Sequence, residues 1–303
     1  MSSLDVLPCR DSSALAVQRR RELELPWHDA ARLGRSAVVA AERGWYAGPH
    51  GEPVGWADEV RRARAAAVSI PPDATLPTRA VVQQPVTRVR VANETTLGAA
   101  RLLAAGGVRP LALNFANGLH PGGGFLDGAT AQEEVLCRSS ALHATLAGDA
   151  MYAEHAARPR PDSTAWAILS PGVPVFRLDD GTALEAPWPL DFLTCAAPYA
   201  PHIGATESAA LLRVRIRRVL AVARAYGYTV LVLGAWGCGA FGNDPHATAA
   251  DFRRALEGDF AGAFSDVVFA IADWSPERRF LGPFRDVFGG APSGGGDGVS
   301  SVA

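Results

Sequence analysis

Two adjacent glutamates, Glu133 and Glu134, follow a run of three glycines, Gly122–Gly124, and open an apolar stretch containing Val135, Leu136, Ala141 and Leu142. Carboxyls at such a place have two uses. As ordinary first-turn acids they complement the positive end of a helix, which contributes a few tenths to about 1 kcal/mol. As a catalytic group, one of them has to carry a proton near neutral pH and pass it to a leaving oxygen. A helix N-terminus favours the ionised form, so burial in a cleft or a nearby ligand phosphate has to oppose it. Adjacent glutamates cannot flank a sugar ring as the usual pair of glycosidase carboxyls does. One residue would then serve first as acid and later as base.

The carboxyls belong to one of two glycine-rich segments. The first runs from Asn114 through Asn117 and Gly122-Gly123-Gly124-Phe125 to Gln132-Glu133-Glu134; the second is Gly234-Ala-Trp236-Gly237-Cys238-Gly239-Ala240-Phe241-Gly242-Asn243. Each leaves the end of a predicted buried strand and leads into a predicted helix, where ligands sit in open α/β sheets. Successive glycines free several N–H groups to point at one anion. A diphosphate needs donors from two sides, which two loops on neighbouring strand ends would supply. Neither segment is GxGxxG and neither carries GK[ST], so a standard dinucleotide or NTP fold is disfavoured. All 29 basic residues are arginine. Lysine Schiff-base chemistry and a lysine-bearing phosphate loop are therefore excluded.

The elements that must position these loops are legible in outline. Val89 and Val91 alternate with arginines as in a half-buried strand, and a helix from Thr95 to Ala105 follows. Strands are expected at Pro110–Phe115, Leu190–Thr194, Thr229–Leu233 and Asp266–Ile271, with helical stripes at Ile216–Tyr226 and Phe252–Phe260 between them. Asp244-Pro245 reads as a helix cap followed by Pro at the first position. Such alternation implies a mixed or parallel sheet covered by helices on both sides. Residues 1–80 read as a helical extension packed on a core of 81–288, with a turn or hairpin at Gly44–Gly51; the Gly/Ser-rich tail 289–303 reads as disordered. The formal charge of -2 gives no general polyanion-binding field, so general nucleic-acid binding is not expected. No apolar run approaches a membrane span, and the four cysteines form no CxxC pair, which points to a reducing cytoplasm and no zinc site; a monomer is the expected state.

Gly122-Gly123-Gly124, seven further residues and then Gln132-Glu133-Glu134 resembles the signature of the poly(ADP-ribose) glycohydrolases, in particular the compact bacterial type built on an ADP-ribose-binding macrodomain. Gly44-Trp-Tyr, Val91-Ala-Asn-Glu-Thr-Thr96, Leu113-Asn-Phe-Ala, Ser170-Pro-Gly-Val-Pro-Val-Phe-Arg177, Trp236-Gly-Cys-Gly-Ala-Phe241 and Ala270-Ile-Ala-Asp273 extend it over roughly residues 15–288. The resemblance implies an α/β fold, a three-layer α/β/α macrodomain-like mixed sheet. It also implies hydrolysis of ribose–ribose O-glycosidic bonds in poly(ADP-ribose), mainly from the chain end, without cofactor or metal.

The resemblance further implies roles. Glu134 would protonate the leaving oxygen and then activate water, while Glu133 orients the terminal ribose. Asn117 would touch that ribose, and Gly122, Gly123, Gly124 and Phe125 would pack against the diphosphate beside Gln132. Gly237, Cys238, Gly239 and Ala240 would give phosphate donors, with Phe241 on the ribose. Glu94 would meet the adenine edge, with Trp274 or Phe284 as cover or plain core. ADP-ribosylated proteins would be partners, as carriers of the polymer. Many relatives have serine where Asn117 stands. Two other functions remain open at this point: a module that reads ADP-ribose without cleaving it, and a hydrolase that removes mono-ADP-ribose from protein or nucleic-acid acceptors. A reader has no use for a buried acid, which argues for the enzymes.

Overall fold

The computed structural model describes residues 3–79 and 82–289. The chain opens with β1 (Ser3–Val6), α1 (Ser13–Leu23) and α2 (Trp27–Arg43), then the hairpin β2 (Trp45–Ala47) and β3 (Pro53–Gly55). Next come α3 (Ala57–Ala66), β4 (Val68–Ile70), β5 (Val86–Ala92), α4 (Thr96–Ala105) and β6 (Leu111–Ala116). Three short helices follow, α5 (Gln132–Ser139), α6 (Leu142–Leu146) and α7 (Ala150–Ala156), before the long hairpin β7 (Ala167–Arg177) and β8 (Ala183–Ala196). The chain closes with α8 (Ala200–Ile203), α9 (Ala205–Ala225), β9 (Val230–Leu233), α10 (Pro245–Glu257), β10 (Asp266–Ala270) and α11 (Leu281–Gly289).

Eight strands form one mixed sheet in the order β1-β5-β10-β9-β6-β8-β7-β4. The strands from β1 to β8 in that order run parallel, and β7 and β4 pair antiparallel at the far edge. Alternation of side chains explains the three layers. Leu231, Leu233, Leu111, Leu113, Val267 and Phe269 face one core with α9, α10 and α11, whereas Val232, Ala112 and Ala270 face a second core with α2 to α6. The central strands are therefore apolar on both faces, as their sequences predict.

Helix ends follow the capping chemistry. Thr95 Oγ1 accepts from Gly98 N at 2.9 Å to start α4, and Asp244 Oδ1 accepts from Ala247 N at 2.7 Å to start α10. Gly44 closes α2 at φ 77°, a left-handed conformation that suits glycine.

Residues 3–79 are more deeply tied in than a helical extension implies. β1 pairs with β5 and β4 pairs with β7, so this segment supplies both edge strands of the sheet. Three- and four-residue edge strands carry too little periodicity to read from sequence. The boundary expected at residue 80 falls on residues outside those described. Gly289 ends α11, and the rest of the expected tail, 290–303, also lies outside the described residues.

Helix α2 also backs the first glycine loop. A Cβ on Gly34 would lie 2.3 Å from the Phe125 carbonyl oxygen, so the two backbones touch. We expect Gly34→Ala to lower stability by about 1–3 kcal/mol through overpacking. Thermal unfolding measures this, and an unchanged Tm would contradict the close contact.

Candidate active site

The two glycine loops leave the C-terminal ends of β6 and β9, which are adjacent parallel strands. Between them and the ends of β5 and β10 opens a cleft of about 430 Å³. Asn117, Gln132, Glu133 and Glu134 from the first loop and α5 line it, as do Gly237, Gly239, Ala240 and Phe241 from the second loop and Glu94, Thr95, Asp179 and Trp274.

Glu133 is 3% exposed and accepts three hydrogen bonds. Asn117 N donates to Oε2 at 2.6 Å; Gly122 N and Asn114 Nδ2 each donate to Oε1 at 3.2 Å. Burial pushes its carboxyl up to about 8, with the Glu134 charge adding to the rise, while the Asn117, Asn114 and Gly122 donors pull the other way. Glu134 accepts from Gly124 N at 3.0 Å. Gly123, between those donors, sits at φ 59°, and a Cβ there would lie 2.3 Å from Glu134 Oε1 and 3.2 Å from Glu133 Oε2. Glycine is thus required by both conformation and contact.

This geometry changes what several predicted residues do. The N–H groups of Gly122 and Gly124 are spent on the two glutamates, and that of Gly123 donates to His120 O at 3.0 Å. None of the three glycines is among the residues that line the cleft, and within the described residues their N–H groups are held by the two glutamates and His120 O. Phe125 is 1% exposed and packs on the His143 ring at 5.0 Å, below the loop and away from the cleft. Gln132 lines the cleft, but its amide is fully used: Oε1 accepts from Phe115 N at 2.9 Å, and Nε2 donates to Thr96 Oγ1 at 3.0 Å and Leu113 O at 2.8 Å. It locks α5 to the end of β6. Cys238 is buried, its N–H donates to Ala235 O at 3.1 Å, and burial pushes its thiol up to about 12. It is not among the residues that line the cleft.

The second loop is the one with free donors. Among the described residues, the N–H groups of Gly237, Gly239, Ala240 and Phe241 find no protein acceptor. Gly237 takes φ 77°, and a Cβ there would lie 2.8 Å from both Ala197 Cβ and Asn243 Nδ2. Buried Asn243 ties the loop: Nδ2 donates to Pro198 O and Gly237 O at 3.0 Å each, and Oδ1 accepts from Ser208 Oγ at 2.6 Å. The N-terminus of α10 adds no anion site, because Asp244 already caps it with a negative charge. By contrast α5 has Ala131 at its N-cap and no side-chain cap, and Ala131 is among the residues that line the cleft.

Glu94 lines the cleft as expected and is paired with Arg19 of α1. Trp274 lines it at 38% exposure, whereas Phe284 is wholly buried core. Asp179 was not visible as a site residue; burial pushes it up to about 6, against a hydrogen bond from Thr95 Oγ1 at 2.9 Å. Among the described residues no cluster of His, Cys, Asp or Glu is placed to hold a metal ion.

The family model described as microbial-type PARG, catalytic domain, matches residues 34–178. The crystal structure of poly(ADP-ribose) glycohydrolase from Thermomonospora curvata is 42% identical, with a TM-score of 0.79 over 85% of this chain and 98% of that one. The enzyme from Deinococcus radiodurans in complex with ADP-ribose is 39% identical, with a TM-score of 0.67 over 75% of this chain and 95% of that one. The chain belongs to the microbial-type poly(ADP-ribose) glycohydrolases. A search among curated proteins finds no match. The macrodomain-like sheet is thus the glycohydrolase fold, and the paired loops and glutamates stand in a family whose members hydrolyse this polymer.

The raised Glu133 carboxyl gives this glycohydrolase a pH signature. Its folded form holds a proton between the ordinary glutamate range and about 8, whereas the unfolded chain has released it. Native protein therefore binds more protons in that window, and stability contributed by this group falls as pH rises through it. We expect the Tm of Glu133→Gln relative to wild type to rise between pH 5 and pH 8. A pH-independent difference would contradict the raised carboxyl.

Proposed function

We propose that this poly(ADP-ribose) glycohydrolase cleaves the ribose–ribose bond with Glu134 as both the acid and the base of the reaction and works from the end of the polymer. The observation that carries this reading is the division of labour between the loops: one set of amides is spent on the two glutamates, the other is left without protein acceptors across the cleft. The second loop's N–H groups, from Gly237, Gly239, Ala240 and Phe241, would take the diphosphate of the terminal unit. Phe241 and Asn117 would flank its ribose, and Glu133 would accept from a ribose hydroxyl. Glu94 would meet the adenine edge at the far end, with Trp274 beside the base.

Chemistry then needs few parts. The proton on the Glu134 carboxyl passes to the departing ribose oxygen as the C–O bond breaks, leaving an oxocarbenium-like sugar. Water attacks that carbon and returns its proton to the Glu134 carboxylate. Atoms balance: one water is consumed, one ADP-ribose and one free hydroxyl are formed. The glycine cradle holds Glu134 still between its two roles. A cleft of about 430 Å³ suits one ADP-ribose unit, and the net charge of -2 provides no track for a long polyanion, which supports attack at the chain end.

The reading extends to where the enzyme meets its substrate. ADP-ribosylated proteins would carry the polymer, and a monomer would suffice for it, since the cleft residues named above all come from one chain. All four thiols are free, in keeping with a reducing compartment such as the cytoplasm, and no helix among the described residues is long and apolar enough to cross a membrane.

Two experiments test these assignments. Glu134→Gln keeps the shape of the carboxyl and removes the proton relay, so it should bind ADP-ribose as wild type does and lose at least about 10²-fold in cleavage rate. Cleavage at the wild-type rate would refute the role of Glu134. On long polymer, wild type should release ADP-ribose from the first time point; early release of oligomers as the main product would refute chain-end attack.

A further inference from the structure

Glu94 is 8% exposed, and its two carboxylate oxygens have different surroundings. Oε1 accepts from Thr95 N at 3.0 Å and is paired with Arg19 Nη1. Room for that oxygen comes from Gly98, where a Cβ would lie 2.6 Å away. Oε2 has no donor among the described residues, although Glu94 lines the cleft. Oε2 is not fully buried, and because Glu94 lines the cleft a ligand there would strip water from this oxygen. It calls for a hydrogen-bond donor from whatever fills the cleft.

Arg19 does not come from the sheet. It is carried by α1, is itself 5% exposed, and its Nη2 donates to Glu22 Oε1 at 3.0 Å. Leu23, one turn further on, lines the same cleft. The start of α1 is clamped to the strand ends beside Glu94. Asn93 Nδ2 donates to Asp11 Oδ1 at 2.8 Å, and Arg278 Nε donates to Asp11 Oδ2 at 2.8 Å. Arg19 meets the carboxylate through Nη1 and Glu22 through Nη2, so its rigid guanidinium braces Oε1 from α1, which a single flexible ammonium would not do as well. Residue 19 lies outside the family model, which matches only 34–178.

We infer that Arg19 is a positioning residue for base recognition: by saturating one oxygen of Glu94 it presents the other as a fixed acceptor, which selects a purine bearing an exocyclic amine over its oxo counterpart. The inference rests on the proposed placement of the adenine at Glu94. The amine donates to Oε2; a 6-oxo purine brings an acceptor to the same point, leaving two oxygens facing each other in a dry site. With Arg19 removed, Glu94 is free to turn, and the site loses its ability to tell the two apart.

The test is calorimetric binding of ADP-ribose and of its hypoxanthine analogue to the full chain, with polymer cleavage followed in parallel. Wild type should prefer ADP-ribose by at least roughly tenfold. Arg19→Met should weaken ADP-ribose binding and shrink that preference to within about threefold, while kcat at saturating polymer changes by less than about threefold, a loss confined to binding. Arg19→Lys keeps the charge without the fork and should fall between the two. A full wild-type preference in the Met variant overturns the inference, as does a full preference in the Lys variant if the Met variant does not fold. Equal binding of both ligands by wild type also overturns it. Failure of wild type to bind either ligand refutes the reading of the cleft itself.

Discussion

Two carboxyls sit side by side at the start of a buried helix, and backbone amides hold them there. Placing Glu133 and Glu134 in a dry wall is costly unless donors meet them. Asn117 N, Gly122 N and Asn114 Nδ2 meet one, and Gly124 N meets the other. The loop can come that close because Gly123 has no Cβ; any other residue would drive one into Glu134 Oε1. Much else in the molecule serves this contact. Gln132 locks α5 to β6, Gly34 lets α2 press on the loop from behind, and Phe125 anchors it in the second core.

The other loop answers a different constraint. It must leave amides unpaired yet hold a defined shape, so its order comes from Asn243 rather than from its own ladder. Fixed donors of this kind are worth more than mobile ones, because no reorganisation is needed when negative charge arrives. The two loops face each other only because β6 and β9 are neighbours and parallel. The sheet order therefore decides the chemistry more directly than any single side chain does.

Much of this was legible from residue patterns. The central strands and the caps at Thr95 and Asp244 follow period-2 alternation and short-range hydrogen bonding, which are local. The two loops stand out because glycine runs after buried strands have few structural uses. What escaped is non-local. The edge strands β1 and β4 are too short to show a period, and they exist only through their pairing with β5 and β7. Nothing in the residue types of Gln132 and the triple glycine reveals the hydrogen bonds that they make within the protein. Arg19 stands in the run Arg19-Arg20-Arg21, whose residue types give no sign of burial, and only the fold shows it buried against Glu94.

The central claim is that the first loop serves the catalytic carboxyls and the second serves the phosphates. A crystal structure of the chain with ADP-ribose tests it most directly. The account predicts phosphate oxygens within hydrogen-bond distance of the N–H groups of Gly239, Ala240 and Phe241, with Gly122 and Gly124 still donating to Glu133 and Glu134. A diphosphate bound instead to the amides of Gly122–Gly124, with the glutamates released from them, would contradict it.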